Sequence, residues 1–342
     1  MLISNLSVRA LCTGGTGFND VDRTSPPHCK GAPVIENSVG HAPAAIARAN
    51  GIELCYEAFG NRSDPPILLV MGLASQMILW EEDFCKQLAG EGFWVIRFDN
   101  RDIGKSSKFP KSGSPGALSL LLTPFTKKFI APSYTLGDMA ADTVGLMDAL
   151  NITRAHLVGV SMGGMIAQEV AIRYPARLLS LTSIMSTTGD TKLPRAEPQA
   201  LAVLLKATPK DHHSYMERYT DTWRVLSGDV MPLDPTRTIA QGELGYSRGI
   251  NPKGVARQLK AIIAAPDRTQ ALAHVTVPTL VMHGSKDPLV PIAHGRATAH
   301  AIPGSNFEVI DGMGHALPRA AWPQLIAAIA RHARAATTSS PA

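Results

Sequence analysis

One turn constrains this chain more than any other feature. Gly159-Val160-Ser161-Met162-Gly163-Gly164 follows the solid apolar run Ala155–Val160 and opens a helical pattern, Met162–Tyr174, which Pro175 ends. A serine between glycines at a strand-to-helix corner sits on a strained turn that projects its hydroxyl above a sheet. Glycines flank it because a side chain there would collide with the neighbouring strand and helix. The helix N-terminus then points at any negative charge that develops beside Ser161. The bland alternative is a glycine-rich turn with a bystander serine. The strand before and the helix after favour the nucleophile.

The rest of the chain repeats strand, turn and helix. Ile52–Phe59 alternates apolar and polar, as a half-buried strand does. Ile67–Met71, Phe93–Phe98, Leu178–Met185, Thr279–His283 and Phe307–Ile310 read as further strands, and the solid apolar run Ile67–Met71 has the signature of burial on both faces. Trp80–Leu88, Leu136–Leu150 (with Asp138 as its cap) and Trp322–Arg334 read as helices. This alternation predicts an α/β fold with a mostly parallel, doubly wound sheet. Two segments interrupt it. Residues 105–134 carry Pro, Gly and Ser and a short apolar helix around Leu118–Leu122. Residues 188–274 hold helical patterns at Glu197–Ala207, Tyr215–Leu226, Thr236–Tyr246 and Gly254–Ala264 and no strand pattern, which reads as a helical lid over the sheet edge. The expected organisation is a core of 44–187 and 275–336, a lid of 188–274 and a polar tail of 337–342. Residues 1–43 read as a loosely ordered extension, or as a start placed too far upstream.

Composition excludes several classes. Charged residues are 18% against 45% hydrophobic in 342 residues, so the chain can bury a large core and is not a disordered, solvating sequence. No apolar run reaches the roughly 18–20 residues of a membrane span. The net charge of +5 comes from scattered residues, without the basic and aromatic interleaving of a nucleic-acid surface. The glycine cluster at 13–17 lacks the strand–turn–helix context of a nucleotide fingerprint. The four cysteines, Cys12, Cys29, Cys55 and Cys85, form no zinc-type spacing. No metal or cofactor is expected, nor a secretory signal, and the expected location is the cytoplasm.

A serine nucleophile needs a base, and the base needs an orienting acid. In this architecture the chain order is serine, acid, histidine, each on a loop after a strand. Asp287 lies on the loop after Thr279–His283, and His315 on the loop after Phe307–Ile310. Asp311 is the rival acid, but it is too near His315 in sequence to occupy a separate strand end. The roles follow: Ser161 attacks, His315 carries the proton, and Asp287 holds the tautomer. An oxyanion needs two backbone N–H donors. Met162, after the nucleophile, is one; Leu73, after the Ile67–Met71 strand, is the other, with Gly72 as its close alternative.

These motifs resemble the α/β-hydrolase superfamily over about residues 46–335. The carriers are Val70-Met71-Gly72-Leu73, the run Asp99 to Ser106, the turn at Ser161, Gly284-Ser285-Lys286-Asp287 and Gly312-Met313-Gly314-His315. Within the superfamily the chain is similar to aclacinomycin methylesterase-like hydrolases and lipolytic carboxylesterases. The likeness implies a Ser161–Asp287–His315 triad. It disfavours relatives with an aspartate at the elbow, such as epoxide hydrolases and haloalkane dehalogenases. Two departures stand out: Met71 where a histidine is common, and Asp102 where the family often has glycine. Asp99 and Arg101 are expected to brace the adjoining loop.

The substrate expected is an uncharged, moderately apolar ester. Tyr215, Tyr219 and Trp223 are four residues apart and share a helical face, which lines an acyl or alcohol pocket or simply packs lid on body. Gly72, Met77 and Trp80 join them as candidate pocket residues. The leading expectation is a serine carboxylesterase working through an acyl-enzyme. Carbon–carbon bond hydrolase, enol-lactonase and cofactor-free perhydrolase are alternatives on the same fold. A ligand receptor on a hydrolase scaffold is a third class, which an intact triad speaks against. The sequence leaves the oligomeric state open.

Overall fold

The computed structural model describes residues 40–109 and 132–338. Among these residues one sheet is built from β1 (His41–Ala49), β2 (Ile52–Phe59), β3 (Pro66–Val70), β4 (Trp94–Phe98), β5 (Ala155–Val160), β6 (Leu178–Ile184), β7 (Thr279–Gly284) and β8 (Asn306–Ile310). The spatial order is β1-β2-β4-β3-β5-β6-β7-β8. β2 runs antiparallel to β1 and β4, and all other neighbours are parallel. The α helices are α1 (Glu82–Gly90), α2 (Leu136–Ala149), α3 (Met162–Arg173), α4 (Pro198–Leu205), α5 (His212–Ser227), α6 (Pro235–Ser247), α7 (Pro252–Ala264), α8 (Thr269–Leu272), α9 (Ala293–Ala301) and α10 (Trp322–Thr338).

The central strands are apolar on both sides because helices cover both. Ile67 and Leu69 face a layer that includes Phe84, Leu88 and Leu325 of α1 and α10. Leu68 and Val70 face the opposite layer, with Met139, Met147 and Ile166 of α2 and α3. Each such leucine or isoleucine, moved wholly out of water, contributes about 1.5–3 kcal/mol of transfer free energy. α4 to α8 all fall between β6 and β7, within the span read as a helical lid. None of these helices is long and apolar enough to cross a membrane.

Several local expectations need correction. β1 begins at His41, inside the span read as a loose extension, and its Ala-rich sequence hides it. It forms because Asn50 (φ 49°) and Gly51 (φ 76°) make the tight reversal that pairs it with β2. The cap of α2 is Thr135, not Asp138. Asp138 is the third helical residue and returns the bond to the Thr135 N–H, completing a capping box. α9 carries no apolar stripe and was not foreseen, yet the parallel β7–β8 pair needs a crossover. α10 continues to Thr338, beyond the expected start of the tail. The expected helix at Leu118–Leu122, the glycine cluster at 13–17, Cys12 and Cys29 lie outside the described residues. Cys55 and Cys85 are buried free thiols, and burial pushes Cys85 up to about 12.

His156 on β5 is buried, with Nδ1 2.8 Å from Ser180 Oγ and Nε2 3.2 Å from Thr337 Oγ1. Burial, with smaller help from the charges of His332 and Arg154, lowers its pKa from 6.5 to about 4. The unfolded chain therefore binds a proton near pH 6.5 that the folded chain refuses until about pH 4. The melting temperature is expected to fall as pH drops through that interval. In a pH series of thermal melts, His156→Gln should flatten that part of the profile.

Candidate active site

The turn after β5 forces Ser161 into φ 56°, ψ −120°, a region that non-glycine residues enter only when their surroundings compel it. Its N–H is tied to Ile184 O at 2.9 Å on the neighbouring strand, and its carbonyl accepts from Ser186 Oγ at 2.8 Å. The flanking glycines are required by space. A Cβ at Gly163 would stand 2.7 Å from the Val70 carbonyl carbon, and one at Gly159 would stand 2.7 Å from Gly164 N.

The serine hydroxyl meets the two residues that the chain order selects. Ser161 Oγ lies 2.9 Å from His315 Nε2, and His315 Nδ1 lies 2.7 Å from Asp287 Oδ2. The other carboxylate oxygen of Asp287 accepts the N–H groups of Leu289 at 2.9 Å and Val290 at 2.8 Å. Burial alone would raise the Asp287 carboxyl. Electrostatic attraction and a hydrogen bond from His315, with a hydrogen bond from His283, outweigh burial and hold it well below the usual carboxylate range. Asp311, the rival acid, is exposed and accepts from Ser285 Oγ at 2.8 Å instead. The loop carrying His315 is held from above: His315 N–H donates to Leu226 O of α5 at 2.7 Å. This arrangement can take a proton from Ser161 and return it elsewhere.

Gly72 packs directly on the serine, since a Cβ there would lie 3.2 Å from Ser161 Cβ. Leu73 is thereby placed beside Ser161, and Met162 is the first residue of α3, where the N–H has no partner within its own helix. Among the described residues neither of these two N–H groups meets an acceptor.

A cavity of about 620 Å³ opens above Ser161 and His315. Gly72, Leu73, Tyr215, Tyr219 and Trp223 line it. The rings of Tyr215 and Tyr219 lie 5.8 Å apart at 29°, and burial raises both phenols, Tyr215 to about 12, so they face the cavity as neutral hydroxyls. Met77 and Trp80 do not line it, which corrects their expected place in the pocket. Met77 N–H is drawn to Asp99 Oδ1 at 2.8 Å, and its side chain packs with Cys55 and Ile78. Trp80 turns onto Phe84 at 5.4 Å beneath the sheet. Gln76, Ile78 and Leu79 reach the cavity instead.

Sequence reasoning reads His283 only as a residue packed at a strand end, and it missed Arg248 and Arg257. His283, at the end of β7, sits behind the acid with Nε2 2.7 Å from Val290 O and 3.5 Å from Asp287 Oδ2. Arg248 and Arg257 of the helical insert pair with Asp99 and Asp102. Only the unusual aspartate at 102 signalled a partner. Among the described residues no cluster of three or more His, Cys, Asp or Glu side chains could hold a metal ion.

Fold and site together define the class. The sequence profile of the alpha/beta hydrolase fold family matches residues 65–221. The chain is 30% identical over 322 residues to rhodomycin D methylesterase DauP of Streptomyces sp. strain C5, covering 86% of this chain and 99% of that one. It is 29% identical to rhodomycin D methylesterase DnrP of Streptomyces peucetius over the same shares. The enol-lactonase of Burkholderia xenovorans LB400 has the same fold, with a TM-score of 0.64 at 24% identity, covering 86% of this chain and all of that one. The chain belongs to the α/β-hydrolase fold family.

Proposed function

We propose that this chain is a serine carboxylesterase that cleaves methyl esters of bulky, uncharged acids. The observation that carries the reading is the Ser161–His315–Asp287 hydrogen-bond chain at the floor of a roomy cavity. Ser161 Oγ attacks the ester carbonyl while His315 Nε2 takes its proton, and Asp287 stabilises the resulting imidazolium. The carbonyl oxygen, now an anion, sits between the N–H groups of Leu73 and Met162. The C–O bond to the alcohol breaks, His315 returns the proton to the alkoxide, and an acyl-enzyme remains. A water then attacks, giving its proton to His315, and the acid leaves as Ser161 regains its hydrogen. Both Streptomyces relatives bear the name methylesterase, which supports methanol as the leaving alcohol. The cavity, walled by Tyr215, Tyr219 and Trp223, gives an apolar acyl group its place.

A substrate panel tests this. Methyl esters, enol-lactones and vinylogous diketones are compared at equal concentration, and an activated aryl ester is followed in the stopped flow. Methyl esters should be the best substrates, and the aryl ester should release a burst of one alcohol per active site. Turnover confined to the diketones or the enol-lactones, with methyl esters left intact, would overturn the proposal.

A further inference from the structure

We infer that Gln258, on α7 of the helical insert, is a positioning residue for the oxyanion loop. The inference rests on the roles given above to Ser161, Leu73 and Met162. The segment Gly72–Ser75 leaves β3 beside the serine, and within it the Ser75 hydroxyl donates to Leu73 O at 3.1 Å. Its turn is closed by a long bond, Ser75 N–H to Gly72 O at 3.4 Å. Ala74 holds a left-handed φ of 61°, which a residue with a Cβ keeps only when something outside the turn fixes it.

Gln258 supplies that constraint. Its Oε1 accepts from Ala74 N–H at 3.1 Å, and its Nε2 donates to Arg101 O at 2.9 Å. The side chain is 0% exposed, so no water competes for either bond. On the upstream side, Asn100 Nδ2 donates to Met71 O at 2.9 Å. The Leu73 N–H is thus carried on a short run of backbone strung between two anchored points, one held by Asn100 and the other by Gln258. Freeing the Ala74 end lets the run rotate and swings the Leu73 N–H off its line to the oxyanion.

Gln258 does not line the cavity, so it cannot reach substrate. Its loss should act only through the loop, and the loop matters most when the carbonyl oxygen becomes an anion. The expected signature is therefore in kcat, with KM unchanged. Complete loss of one oxyanion donor typically costs about 10²–10³ in kcat. A donor still present but misaimed should cost less, roughly 10–100-fold.

The experiment uses the full chain, an ester that the wild type turns over, and a trifluoromethyl ketone that adds to the serine as a tetrahedral anion. Gln258→Met, folded by circular dichroism, should lose 10–100-fold in kcat at constant KM and lose the same factor in affinity for the ketone. Wild-type kcat in the folded variant, or a loss confined to KM, overturns the inference. Should Gln258→Met not fold, the same measurements on Gln258→Asn decide the matter, since that amide is one methylene too short to reach Ala74. Failure of the underlying esterase reading is distinct: it appears in the wild type, as absence of ester turnover, before any Gln258 variant is made.

Discussion

Ser161→Ala should lower ester turnover by a factor on the order of 10⁵–10⁶ while the melting temperature stays where it was. The large factor follows from the hydrogen-bond chain at 2.9 and 2.7 Å, in which the Ser161 hydroxyl is the proton donor to His315 and Asp287 steadies the imidazole that accepts it. Without the hydroxyl they can only assist a water, and residual rate comes from the two N–H donors and from binding. Stability is insensitive because alanine tolerates φ 56° no better and no worse than serine. Ser161→Gly, equally inactive, should melt higher than Ser161→Ala, since glycine relieves backbone strain of order 1 kcal/mol. Kinetics and melts on the three proteins check this together. An alanine variant with more than a hundredth of wild-type turnover would remove Ser161 from the mechanism.

Gly163→Ala should show the opposite coupling, losing stability and activity at once. The added Cβ would overlap the carbonyl of Val70, with Val70 C at 2.7 Å and Met71 O at 2.8 Å. These are backbone atoms of the last residue of β3 and of the residue after it, central in the sheet, so no side-chain rotation relieves the overlap. The cost should reach about 3 kcal/mol or more, a large part of a typical 5–15 kcal/mol. A fall in melting temperature of roughly 5–10 °C follows. Val70 also leads into Gly72 and Leu73, so kcat should drop with it. A variant that melts like the wild type would mean that α3 can slide away from β3.

The meeting of Ser161, His315 and Asp287 was legible because each lies on a loop or turn that follows a strand, where apolar runs and glycine-bounded loops mark position. The strand-to-helix turn placed Ser161, and the closeness of Asp311 to His315 in sequence separated it from Asp287, which has a strand end of its own. The pocket was less so. Tyr215, Tyr219 and Trp223 announce a shared helical face through their spacing, whereas Met77 and Trp80 follow the oxyanion loop without facing it. One turn of 3₁₀ helix at Met77–Leu79, pinned by the Asp99 carboxylate, rotates both inward. β1 escaped because alanine carries little strand preference, although Asn50-Gly51 marks the reversal. Gln258 and Arg248 had no pattern at all, because their partners lie far away in sequence and include bare backbone atoms.

The aspartate at 102, which broke the family's glycine pattern, ties the body to the helical insert. It is buried, holds φ 72°, and accepts Arg257 Nε at 2.8 Å, Arg257 Nη2 at 2.7 Å and the Tyr134 hydroxyl at 2.9 Å, while Asn251 donates to its carbonyl at 2.9 Å. Burial alone would raise this carboxyl, but the Arg257 hydrogen bond and its neighbours hold it below the ordinary range. The two halves of this joint stand 155 residues apart and can only change together. A helical insert lacking Arg257 and Asn251 would leave the buried Asp102 carboxylate with the neutral Tyr134 hydroxyl and Phe109 N–H but no cation, and losing one partner of a buried ion pair costs about 3–5 kcal/mol. Body and helical insert are therefore a keyed pair, and the insert is not a module that can be exchanged at its sequence boundaries.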